Sequence, residues 1–455
     1  MKIDNLRGNV GIILVFIFST GFFLYQHSTG LSWDFSAYVL NAKYIFSDGN
    51  YFEWLRPPIV PILLGIFSIF GWKTSEYLFI IFTSGLFLFS SIKLCKSLKI
   101  QKDIYYISSI TFFTLTYSFS SGSELLSLSL LQLFISYLDR VESGIFLSLS
   151  SLTRYGNFIY FPMIILQKDW KKILISLILC FLVIFPWLIY NFLSTGNPLT
   201  SIIDFYLMNV KFRVDLREKI DFKNFLIVGN FLTPLFLFGI IKSLKSIDYN
   251  FSKISIFLIL CLFSYFTGAF KYVRYLFPLI IPISYFSTIA YNKKIKYIYF
   301  GLFLIGFLFA IIYSEPLERP DIYMELSKKL EKCETRSNGW IFLNYFGFIS
   351  GPIPWKHQIN EMFEDGIRFV IFKKIKDPDF GDFWKNFNII EETEEYLIVG
   401  KPSKCKPQND FTKTYFETVS EACGIEIDIY SALFYKDKLC SSIRYCEDIK
   451  YYLCS

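Results

Sequence analysis

The strongest constraint on this chain is the recurrence of uninterrupted apolar runs, about 17 to 22 residues long, separated by short lysine-rich loops. Residues 10–26, 173–190 and 254–270 contain no charged side chain at all. Hydrocarbon offers the backbone no hydrogen-bond partner, so a chain crosses it only as helices or as a closed barrel. These runs are continuous and do not alternate apolar with polar, which excludes barrel strands. The chain is therefore read as a polytopic α-helical membrane protein, and its 53% hydrophobic content agrees.

The loops orient it. Lys2 and Arg7 precede the first run, so the positive-inside rule places the N-terminus in the cytoplasm and the following loop outside. Residues 59–70 are apolar but only twelve long, too short to cross as a helix, and are read as re-entrant or interfacial. Counting them as a crossing would put Lys93, Lys96, Lys99 and Lys102 outside. The alternation continues through 104–119, 125–138 and 144–166, the last read as two short helices meeting near the outer side. It ends with 173–190, 225–241, 254–270, 275–290 and 297–313, with Lys293, Lys294 and Lys296 inside before the last run. About eleven spans plus the re-entrant segment result, with the C-terminal part extracytoplasmic. The formal net charge of +7 resides in these loops, so it does not indicate nucleic acid as a partner.

Cysteine usage gives a separate line of argument to the same sidedness. Cys95, Cys180 and Cys261 lie in or beside apolar runs and read as packing residues. Cys333, Cys405, Cys423, Cys440, Cys446 and Cys454 all lie in the polar last third, without a CxxC pair and with almost no histidine nearby. An even set in that setting predicts disulfides and an oxidising compartment, with metal binding the weaker alternative.

Three regions follow: a transmembrane domain over 1–316, a small extracytoplasmic α/β domain over 317–403, and a cysteine-bearing tail over 404–455. In the second, helices are predicted at 321–333 and 356–365, strands at 340–344 and 367–372, and a hairpin at 389–400.

Candidate chemistry concentrates in the first outer loop. Asp34, Tyr38 and Asn41 recur at i, i+4 and i+7, one face of a helix, which the turn Ser47-Asp48-Gly49-Asn50 ends. Glu53 and Arg56 then precede Pro57-Pro58. Glu124 opens the second outer loop, and Arg154 and Arg274 lie at other predicted outer boundaries. A charge there is costly unless it faces a cavity or a partner. A carboxylate can take a proton from a hydroxyl, and a guanidinium can hold a lipid-linked phosphate as its charge develops.

The segments WDFSAYVLNAKY, RPPIVPILLG, SGSELLSLSL, LTRYGNFIYFP, NFLSTGNPL and RYLFPLIIP, in this order and sidedness, resemble the GT-C glycosyltransferases over about residues 8–315. The branch they are most similar to is the dolichyl-phosphate-mannose protein mannosyltransferase and aminoarabinose transferase group. The resemblance implies an integral protein of the cell membrane that moves a sugar, with inversion, from a polyprenyl- or dolichyl-phosphate carrier to a protein, lipid or glycan acceptor. It implies Asp34 as the base, Arg56 as the ligand of the donor phosphate and Glu124 as a second catalytic carboxylate supporting the acceptor or donor side; the position of Arg154 and Arg274 at the outer boundary adds them as donor-phosphate ligands. Tyr38, Asn41 and Glu53 would position substrate. Many relatives carry two acidic residues in tandem at the first position, whereas Asp34 stands beside Trp33. No metal ligand is assigned and no cofactor is required, although a divalent cation is left open. The alternative reading is a polytopic transporter, or a non-catalytic membrane protein with an extracellular binding domain. Charges at the outer boundary, rather than at mid-membrane, and the lack of an internal repeat weigh against a transporter.

Overall fold

The computed structural model describes residues 2–119, 122–212, 220–245, 247–268, 271–291, 296–313, 318–375 and 381–454. Lys293, Lys294 and the sequence-derived limits at residues 270, 316 and 317 lie outside the described residues. The chain divides into two compact units, Met1–Thr29 with Pro57–Pro316, and Gly30–Arg56 with Leu317–Ser455.

The first unit is helical throughout its described residues. Six of its helices, Val10–Thr29, Trp72–Leu98, Trp170–Thr195, Lys223–Ser243, Tyr249–Thr267 and Val273–Ala290, are long and apolar enough to cross a membrane. Ile59–Phe70, Glu124–Ser136, Tyr155–Leu166 and Tyr297–Tyr313 are shorter apolar helices. This is an integral membrane protein. The segment Ile59–Phe67 is helical and is followed by a 3-10 turn, Ser68–Phe70. At Gly71, whose φ of +93° suits a residue without a Cβ, the chain reverses and both pieces pack on Trp72–Leu98. Residues 144–166 form Ser143–Ser151 and a 3-10 stretch Tyr155–Leu166, the two short pieces that the sequence predicts. Beyond the helix Trp170–Thr195 the chain forms the helix Thr200–Tyr206 and a π-helical turn, Leu207–Phe212.

Lipid tails are as apolar as leucine, so burial alone does not drive these helices together; close backbone approach and buried hydrogen bonds do. Gly144 lies so near Ser176 that a Cβ would fall 2.1 Å from its carbonyl oxygen, and Gly239 stands in the same relation to Phe286 at 1.9 Å. Gln132 ties three helices, accepting from Ser90 at 2.6 Å and donating to the Tyr105 hydroxyl at 3.0 Å.

The second unit holds a five-stranded mixed sheet in the order β2-β1-β3-β5-β4. Its strands are β1 Thr335–Ser337, β2 Gly351–Pro352, β3 Arg368–Phe372, β4 Ile389–Glu392 and β5 Tyr396–Val399. The β1 strand pairs parallel to β2 and β3, while β4 and β5 form the predicted hairpin. Every residue of β3 and β5 is buried, so both faces of these strands are covered, and Arg368 is the one charged residue in the pair. Helices Pro320–Lys329 and Lys356–Glu364 take up the positions predicted for them.

One element differs. Residues 340–344, expected as a strand, belong to the helix Trp340–Tyr345. Period-2 alternation cannot be told from helical packing in so short an aromatic run. Tertiary burial decides it: Ile341, Phe342, Leu343 and Asn344 are all buried, facing both the sheet and the helix Trp33–Phe46.

The six cysteines of the last third form three disulfides, Cys333–Cys405, Cys423–Cys446 and Cys440–Cys454, while Cys95, Cys180 and Cys261 are free and buried. The tail is a set of short helices, Tyr415–Cys423, Ile429–Phe434, Lys436–Ser442 and Glu447–Cys454, held by two of these bridges.

Candidate active site

The sequence-derived candidates fall into two clusters, one in each unit. In the second unit, the helix Trp33–Phe46 starts at Ser32, whose side chain accepts from the Phe35 amide, and Asp34 sits in its first turn, favoured there by the helix dipole. The turn at Gly49 folds against the end of the helix so tightly that a Cβ would lie 2.6 Å from the Tyr44 nitrogen. The chain then runs back along the polar stripe. Asn41 clamps it in both directions, donating to the Glu53 carbonyl and accepting from the Glu53 amide, each at 2.9 Å.

That return brings five of the candidates together. Arg56 donates from Nη1 to Asp34 Oδ1 and from Nε to Glu53 Oε2, both at 2.7 Å, and lies over the Tyr38 ring at 5.5 Å. The three charged side chains are 13 to 15% exposed, enough for solvent or a ligand to reach them. Burial opposes the charge on Arg56, but Asp34 and then Glu53 outweigh it and hold the guanidinium well above its usual range. The trio is a carboxylate pair sharing one cation, and the contact with Arg56 orients Asp34, as a general base requires.

Two contributors escaped the sequence reading. Tyr51 donates to Glu53 Oε1 at 2.7 Å and accepts from the Trp340 indole at 2.8 Å. Burial, and then the Glu53 charge, push the Tyr51 phenol well above its usual value, so it stays protonated and donates. A sequence separation of 289 between Tyr51 and Trp340 left no local pattern to find. Trp33, Trp340 and Phe342 pack edge to face around the helix start, with ring centroids 4.5 and 5.3 Å apart.

In the first unit, Glu124 opens the helix Glu124–Ser136, is 1% exposed, and pairs through Oε1 with Arg154 Nη1. A buried carboxylate keeps its charge only with such a partner. Arg154 and Arg274 both face the Tyr275 ring, at 5.9 and 5.6 Å. Asn157 fixes the neighbouring turn by donating to Ser127 Oγ at 2.7 Å and to the Ser150 carbonyl at 3.0 Å. Nearby, Trp187 donates to Tyr155 and Ser201, themselves hydrogen-bonded to each other. Both guanidiniums share the Tyr275 ring, and a guanidinium matches the oxygens of an anion such as a phosphate. Among the described residues, no three His, Cys, Asp or Glu side chains form a group that could hold a metal ion.

The fold is shared with solved structures of low sequence identity, and the resemblance read from the sequence holds at the level of the fold. In particular, the chain is similar to ArnT from Cupriavidus metallidurans. The crystal structure of ArnT bound to undecaprenyl phosphate matches with a TM-score of 0.60 at 10% identity, over 89% of this chain and 99% of that one. The apo structure matches with a TM-score of 0.58 at 10% identity, over 86% and 98%. No protein-family model and no curated protein matches the sequence.

Proposed function

We propose that this protein is a membrane glycosyltransferase that moves a sugar from a polyprenyl-phosphate carrier to an acceptor hydroxyl on the extracytoplasmic side. The observation that carries the reading is the Asp34–Arg56–Glu53 cluster on the loop after the first span, in a chain with a GT-C fold. The similarity to a protein crystallised with undecaprenyl phosphate supports a lipid-phosphate donor.

Asp34 takes the proton of the acceptor hydroxyl, whose oxygen attacks the anomeric carbon. The bond from that carbon to the phosphate oxygen breaks, and the carrier phosphate leaves with the electron pair. A single displacement of this kind inverts the anomeric centre. The leaving phosphate is assigned to Arg154 and Arg274, the two guanidiniums that share the Tyr275 ring. Arg56, with Nη1 and Nε already given to carboxylates, is assigned chiefly to orienting Asp34, and it meets donor phosphate only through its remaining donors. Glu124 holds Arg154, and Tyr38, Asn41 and Glu53 shape the acceptor side.

The lysine loops assign the N-terminus to the cytoplasm and Gly30–Arg56 and the C-terminal domain to the outside of the cell membrane. The test is incubation of the purified protein with labelled polyprenyl-phosphate sugars and a membrane extract. Transfer that requires Asp34 supports the assignment; no transfer from any carrier-linked sugar overturns it. Impermeant labelling of Lys96→Cys on intact cells would overturn the sidedness.

A further inference from the structure

The second unit contains a cleft of about 450 Å³ that none of the roles above uses. Its size lies within the about 300–1,000 Å³ typical of small-ligand sites. Its floor is already committed. Phe411 stacks on Tyr51 with centroids 5.7 Å apart and planes 15° apart, and Arg336 covers the Phe411 ring at 5.6 Å while donating to Glu334 at 2.8 Å. Gly351 makes this possible, since a Cβ there would lie 2.3 Å from Arg336 Nη1.

The wall is different. Trp355 caps the helix Lys356–Glu364, and Trp355, Gln358 and Glu361 follow one another at three-residue spacing along the side that lines the cleft. Trp355 is half-buried, yet its indole N–H has no hydrogen-bond partner and its ring no aromatic neighbour among the described residues. The Gln358 amide and the Glu361 carboxylate likewise have no side-chain partner among the described residues. This row offers a flat apolar face beside a planar amide and a planar carboxylate. That combination suits a ring carrying C–H groups on one face and vicinal hydroxyls at its edge. Five carboxylates against three cationic side chains line the cleft, which disfavours an anionic occupant.

We infer that this cleft binds an uncharged oligosaccharide, with Trp355 as the stacking platform and Gln358 and Glu361 as the hydroxyl readers. The inference rests on the transferase reading for its purpose, because it makes a glycan the acceptor class. The binding itself is tested without donor, so loss of transfer and loss of glycan binding are separate results.

Isothermal titration of the full-length protein in detergent with maltotriose, mannotriose and chitotriose, and with trigalacturonate as the acidic control, reads it out. At least one neutral trimer is expected to bind saturably. Trp355→Ala should weaken it tenfold or more, Trp355→Phe should retain most of the affinity, and Gln358→Ala and Glu361→Gln should each weaken it severalfold. Mapping of the three disulfides checks the fold of each variant. If Trp355→Ala does not fold, the Gln358→Ala/Glu361→Gln pair decides. Three outcomes overturn the inference: no saturable neutral trimer, affinity unchanged in the wall variants, or trigalacturonate bound as tightly as the neutral trimers.

Discussion

Arg56→Ala isolates the electrostatic logic of the Asp34–Arg56–Glu53 cluster. The substitution leaves Asp34 and Glu53, 15% and 13% exposed, facing each other without the cation that both now contact at 2.7 Å. Removing one partner of a buried ion pair costs about 3–5 kcal/mol, and the residual exposure puts this case near the lower end, about 3 kcal/mol. The decisive measurement is a double-mutant cycle with Glu53→Gln, which removes one negative charge but leaves an acceptor for Tyr51. Arg56→Ala/Glu53→Gln should be more stable than Arg56→Ala alone, by about 1 kcal/mol or more in coupling. Unfolding in detergent should be compared at one scan rate, since such proteins unfold irreversibly. Strict additivity of the two substitutions, or a single-variant loss within about 0.5 kcal/mol, would refute the network as the device that holds Asp34 in place.

Asp34→Asn should lower transfer by roughly 10²–10⁴ with donor binding little changed, and Glu124→Gln should fall between this variant and wild type; transfer rate and donor affinity on the same preparations check both. Arg154→Ala should weaken binding of undecaprenyl phosphate and Arg154→Lys should recover part of it, since charge returns without the fork geometry. Opening Cys333–Cys405, whose partners are 72 residues apart, should cost about 4 kcal/mol, against about 3 kcal/mol for Cys440–Cys454 at 14 residues, measured as unfolding of the double-serine variants. Gly239→Ala and Gly144→Ala should each destabilise the protein by about 1–3 kcal/mol or more, because a Cβ meets backbone oxygen, while Gly85→Ala, with nothing within 4 Å, should not.

The sequence by itself determined what depends on local composition. Apolar run length set the membrane class, because hydrocarbon thickness and backbone satisfaction leave a chain few choices. Lysine placement and the cysteine split led to the proposed orientation. The i, i+4, i+7 stripe of Asp34, Tyr38 and Asn41 was legible because helical periodicity fixes which side chains share a face. Glu53 and Arg56 stood close enough in sequence to be suspected together. Only the tertiary structure decided which carboxylates Arg56 would serve, and that Glu124 would spend its charge on Arg154. It alone supplied Trp340 to Tyr51 across 289 residues, and it turned residues 340–344 from an expected strand into a helix. It also chose three disulfide pairings from six cysteines. The physical reason is the same in each case: an ion pair, a bridge or a buried aromatic face is chosen by whichever partner folding brings within a few ångströms, and sequence spacing does not carry that distance.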